Sequence, residues 1–158
     1  MIAFAKTTTA TKPKTKDVRQ VSLIYAAILV VFVIAQLFSF TDFLVLFQGF
    51  SLPGGDTKAY FSATLLVIAE VFAIPFLLGM RLSVAMRFLS MFFGWLVAFM
   101  WLVISVWVNV NSVSVENVGF LGTVVTLNPG WWAFCVSLVL ACLSAWASWG
   151  MWPKIHKK

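Results

Sequence analysis

Apolar residues run along this chain in four long stretches, residues 21–40, 59–80, 84–108 and 131–152, with polar or turn-forming segments between them. About twenty helical residues at ~1.5 Å each span roughly 30 Å, the thickness of a bilayer's hydrocarbon core. Each stretch therefore predicts a membrane-crossing helix. The first continues in apolar character toward Phe47, and its one clearly polar residue, Gln36, lies in the outer third. Two roles fit Gln36, a hydrogen bond to another helix or a place at the interface. Apolar run 21–40 exceeds a signal-peptide core, and no small-x-small cleavage site follows it, so it reads as a retained span.

The segments between the runs carry their own signals. Residues 41–58 include Phe43, Leu44, Phe47 and Phe50, which predicts a short amphipathic piece along the interface. Leu52-Pro53-Gly54-Gly55 then turns the chain, and Asp56 or Thr57 is placed to cap the second helix. Residues 109–130 hold Glu116, Gly119, Gly122 and a β-branched run, Thr123–Thr126, compatible with a hairpin or with a segment lying on the membrane. Trp131 and Trp132 at one end of the fourth run, with Trp149 and Trp152 at the other, are spaced as interfacial belts. Ala133, Ser137, Ala141 and Ala145 recur every fourth residue, a stripe of small side chains that lets a neighbouring helix come close. Cys135 and Cys142 lie on the other side of that helix, roughly 10 Å apart along its axis, too far to pair with each other.

One residue breaks the apolar pattern deep inside a run. Glu70 sits in the second helix, one turn before Pro75. A carboxyl at such a depth costs about 2.5–3.5 kcal/mol on insertion scales, so it is expected to face protein or water, and a neutral, protonated form is compatible with that burial. Pro75 cannot donate to the carbonyl of Val71, which predicts a bend and an unsatisfied carbonyl near the acid. Glu70 is then either a hydrogen-bonded packing residue or the lining of a ligand, proton or substrate cavity. Arg81 and Arg87, flanking the turn into the third helix, are the other candidate ligand or proton residues. The third run is crowded with Phe and Trp that share no single face at 100° per residue, and Gly94 allows a close crossing near its middle.

Composition turns these runs from suggestive to decisive. The 158 residues are 62% hydrophobic and only 10% charged, with a mean hydropathy of +1.00; a soluble domain carries about 25% charged residues. A chain this short cannot hide so much apolar surface from water, so lipid must be the solvent for much of it. The net charge of +6 does not indicate nucleic acid, because the basic residues stand at the borders of the runs rather than in a patch. With both ends and the 81–87 turn on one side, ten of the eleven Lys and Arg share that side and only Lys58 lies opposite. The positive-inside rule makes that side cytoplasmic. The expected fold is all-α, an integral membrane four-helix bundle with both termini cytoplasmic, basic tails at 1–20 and 153–158, and the first tail disordered.

Several chemistries lack their residues. The single histidine, His156, is in the tail, which removes bis-histidine haem and histidine metal sites within the membrane. There is no Cys-x-x-Cys and no phosphate-binding glycine loop with its lysine, and the serines have no base to activate them.

The middle of the chain resembles the DoxX-like and MauE-like small four-helix bacterial membrane proteins. The resemblance rests on Asp42-Phe43, Leu52-Pro53-Gly54-Gly55, Ala69-Glu70 and Leu77-Leu78-Gly79-Met80-Arg81, followed by an aromatic helix, and covers roughly residues 20–108. It implies association with membrane oxidoreductase systems, with Glu70 and Arg81 as family-like positions and quinone as a possible non-covalent cofactor. Where MauE-like members often carry Cys-Gly-Cys-Phe-Gly, this chain reads Asn117-Val118-Gly119-Phe120-Leu121-Gly122, without a thiol. The leading expectation is an accessory or quinone-proximal component in the cytoplasmic membrane. The alternatives are a non-catalytic scaffold joined to a larger membrane protein or to its own copies through the fourth helix, and a small-molecule or ion pathway around Glu70.

Overall fold

The structure is a computed structural model, described here for residues 13–111 and 113–152. Those residues form five α-helices and no strand: α1 Lys16–Phe38, α2 Phe40–Gly49, α3 Gly55–Leu77, α4 Val84–Val110 and α5 Trp131–Gly150. All but α2 are long and apolar enough to cross a membrane. The tail 153–158 and most of the tail 1–20 lie outside the described residues.

Local chemistry sets where each helix begins and ends. α1 starts at Lys16, not at residue 21, because the Thr15 hydroxyl accepts from the Val18 N–H at 3.2 Å and satisfies one of the first-turn donors. It stops at Phe38 rather than running on toward Phe47. Ser39 leaves the helical region there (φ −124°, ψ 44°), and the chain restarts as α2. The apolar piece predicted to lie on the interface is this α2, and Phe43 and Phe47 point into the protein, packed beside α3. Gly54, at φ 116°, stands at the N-cap of α3 in place of Asp56 or Thr57. α3 ends at Leu77, short of residue 80, only two residues past Pro75.

The long helices pack in a ring, α1 against α3, α3 against α4, α4 against α5 and α5 against α1. Their buried positions alternate steps of four and three: Val18, Ser22, Tyr25, Leu29, Phe32 and Gln36 on α1, and Ala133, Ser137, Leu140, Ser144 and Ala147 on α5. That 3.5-residue spacing is the seam of helices crossing at a shallow angle. It also corrects the predicted small-residue stripe. A strict four-residue step rotates about 40° past a full turn each time, so Ala133 and Ser137 face the protein's own helices while Ala141 and Ala145 slide to the half-buried edge.

Residues 14–22, 79–90 and 147–152 gather at one end of the ring. The Lys14 N–H donates to the Gly150 carbonyl at 3.1 Å, the Ser22 hydroxyl donates to Met151 Sδ at 3.7 Å, and Phe88 meets the Trp152 ring. A Cβ at Gly150 would fall on the Val18 side chain, so only glycine lets α1 and α5 approach this closely. Outside the ring the surface is apolar, with Phe38, Phe61, Phe99, Trp131 and Trp149 each more than 60% exposed. In water such a belt would drive aggregation. Its solvent is the bilayer, and the chain is a multi-pass membrane protein.

Candidate functional site

Glu70 lies on the inward stripe of α3 with Ala63, Leu66, Ala73 and Leu77, and neither it nor its helix neighbour Ala69 retains any exposed surface. Small residues at Ala59, Ala63 and Ala73 let α1 and α4 reach that depth. Glu70 Oε1 accepts two hydrogen bonds, from Gln36 Nε2 of α1 at 3.3 Å and from Trp101 Nε1 of α4 at 3.2 Å. Gln36 takes the interhelical role of the two open to it. Its amide nitrogen also donates to the Phe120 carbonyl at 3.1 Å, in the segment between α4 and α5. Three helices are thereby joined through a single carboxyl, and the loop is tied to them through the Gln36 amide.

That loop contains no strand among its described residues. It folds back over the end of the ring and inserts Phe120, which is 1% exposed. The Phe120 ring packs at 4.5 Å from Trp101, 5.5 Å from Phe32 and 6.0 Å from Trp132. Phe47 of α2 meets Trp101 at 6.4 Å, extending the aromatic cap to Phe43 and Phe50. Asn117 ties the loop to itself: its side chain donates to the Gly122 carbonyl and accepts from the N–H groups of Gly119 and Leu127. The loop meets α1 at Gly122, whose backbone lies so close to Ala35 and Gln36 that a Cβ would sit 2.9 Å from the Ala35 carbonyl oxygen. A φ of +59° at that residue adds a second reason for glycine.

Pro75 acts differently from the prediction. The carboxyl's partners are the two side chains from α1 and α4, not a carbonyl freed by the proline. A hydroxyl from α4 repairs the helix instead. Ser90 accepts from the Phe76 N–H at 3.1 Å and donates to the Phe72 carbonyl, standing between a donor and an acceptor that a regular helix pairs directly.

The predicted site residues are not brought together. Arg81 is exposed on the turn between α3 and α4. Arg87 is buried at the opposite end from Phe120, beside a small cavity lined by Phe76, Gly79, Leu82 and Met151. Fourteen residues of α4 separate Arg87 from Trp101, roughly 21 Å of helix. Cys135 and Cys142 face outward. The residues that complete the site, Trp101, Phe120 and Asn117, escaped the sequence reading. Trp101 did carry a signal. Arg87, Met91, Gly94, Ala98, Trp101, Ser105 and Val108 follow the same four-three spacing and are all buried, a pattern a 100° helical wheel blurs over seven turns.

The arrangement holds a polar group away from solvent: the carboxyl has no exposed surface, and the rings of Trp101 and Phe120 beside it are in contact. The larger grooves open on the outside, one of about 680 Å³ between α4 and α5 that includes Leu102, Val106 and Phe134. Among the described residues no cluster of three His, Cys, Asp or Glu is disposed to hold a metal ion. No family model, curated protein or solved structure matches the chain.

Proposed function

We propose that this chain is a non-catalytic accessory subunit of a membrane oxidoreductase system, of the DoxX-like and MauE-like kind, working in the cytoplasmic membrane of a bacterium. The observation that carries the reading is the sealing of Glu70: the one acid at depth in the ring is fully enclosed and bonded to Gln36 and Trp101. Such an acid serves to fasten three helices and a loop and is closed to turnover of a substrate. Any quinone near the protein then touches its lipid-facing exterior and not Glu70. A partner membrane protein meets the same exterior, since Ala133 and Ser137 are already covered by the chain's own helices. The distribution of basic residues supports an orientation with both termini and the turn at Arg81 in the cytoplasm.

Purification of the intact chain in a mild detergent is the test. Co-purification of a larger membrane oxidoreductase, and loss of quinone-linked respiration when the chain is deleted, are expected. A lone monomer whose deletion leaves respiration unchanged would refute the proposal. Reporter fusions at both ends should read as cytoplasmic; an external C-terminus would overturn the orientation.

A further inference from the structure

The hydrogen bonds around Glu70 leave two acceptors over. Glu70 Oε2 and Gln36 Oε1 are both buried without a partner among the described residues, although the two groups already touch through Gln36 Nε2 and Glu70 Oε1. The orientation of the amide is not arbitrary. Its NH₂ must serve both the Phe120 carbonyl and Glu70 Oε1, and turning it over would set its oxygen against two other acceptors. A carboxyl and a carboxamide facing each other in this way have one arrangement that satisfies both, the two-bond acid–amide pair. In it the amide N–H donates to one carboxyl oxygen and an acid O–H donates back to the amide oxygen. One proton on Oε2 converts two orphaned acceptors into a donor and an acceptor.

We propose that Glu70 and Gln36 form a proton-binding site, with Glu70 held as the neutral acid in a two-bond pair with the Gln36 amide, and that this pair fastens the loop carrying Phe120. The link to the loop is direct, because the second N–H of the same amide nitrogen holds the Phe120 carbonyl. Removing the proton leaves two acceptors without a donor and a charge held only by the N–H groups of Gln36 and Trp101, in a site with no water-exposed surface. The cheapest relief is for Gln36 to turn away, which releases Phe120.

Among the described residues no group beside Glu70 offers the carboxylate a compensating positive charge. On α1 the nearest titratable group is Tyr25, whose hydroxyl donates to the Gly94 carbonyl at 2.8 Å. Lys16, Asp17 and Arg19 of α1 are exposed, as are Asp42 of α2 and Asp56, Lys58 and Tyr60 of α3. Arg87 of α4 is at the far end, Cys135 and Cys142 of α5 face outward, and Glu116 of the loop is exposed. The proton site stands whether or not a partner subunit exists, and each can fail without the other.

Infrared spectroscopy of the full chain in lipid nanodiscs, with hydrogen exchange of residues 117–127, tests it. At neutral pH the wild type should show a carboxylic-acid C=O band that Glu70→Gln abolishes. Glu70→Gln supplies an N–H where the acid has its O–H, so that variant should fold and keep the loop protected. In the wild type, raising the pH until the acid band disappears should speed loop exchange by about fivefold to tenfold after correction for intrinsic chemistry, the worth of one hydrogen bond to the loop. Glu70→Gln should show no such rise. Carboxylate bands alone at neutral pH would overturn the proposal. So would carboxylate bands that respond to exchanging sodium for choline, which would mean a cation between the two groups. Loop exchange with the same pH dependence in both proteins would remove the fastening role.

Discussion

Phe120→Ala tests the plug itself. The side chain is 1% exposed and its ring meets Trp101, Phe32 and Trp132. Truncating a buried Phe to Ala costs about 3–5 kcal/mol where the surroundings cannot collapse into the space. Collapse is hindered here. Trp101 is held by its bond to Glu70, and the loop backbone is pinned by the three Asn117 bonds. The three ring contacts, at about 0.5–1.5 kcal/mol each, make up much of that range. Phe120 also lies outside the apolar spans, so its alternative environment includes water and the transfer contribution is retained. Phe99→Ala is the control: the same chemical change at a side chain 62% exposed on the lipid-facing surface should move stability by less than about 0.5 kcal/mol. Reversible unfolding of both variants in mixed micelles reads the difference. An equal, small loss in the two would show that the loop does not seal the site.

Three further outcomes follow from the packing. Gly150→Ala forces a Cβ onto Val18 and should destabilise by about 1–3 kcal/mol, with Val18→Ala restoring much of the loss in the double variant measured by thermal melting. Ser90→Ala strands the Phe76 N–H beside Pro75 and should cost about 1–3 kcal/mol by the same melts, whereas Ser62→Ala, on the partly exposed side of α3, should be neutral. Ser137→Leu should disrupt the fold, because Ser137 is buried and bonded to Ser105 at 3.0 Å, while Ala145→Leu at the half-buried edge should be tolerated; equal melting temperatures would contradict the four-three seam.

Much of this protein was legible before any coordinates. A run of apolar residues long enough to span a bilayer declares a helix by itself, because in hydrocarbon the backbone must satisfy its own polar groups. The four spans followed from that single constraint. So did the shelter of Glu70, since an acid at that depth has to be enclosed.

What encloses it depended on contacts between residues far apart in the chain. Gln36, Glu70, Trp101 and Phe120 share no local motif, and only the packing of α1, α3 and α4 under the returning loop makes them neighbours. The break at Ser39, the inward turn of α2 and the repair of the Pro75 region by Ser90 have the same origin: each answers a partner supplied by another element. Length and polarity act along the chain and determine which segments enter the membrane. Which side chains meet inside is decided by how those helices rotate and stagger against one another, and that is a property of the assembled structure alone.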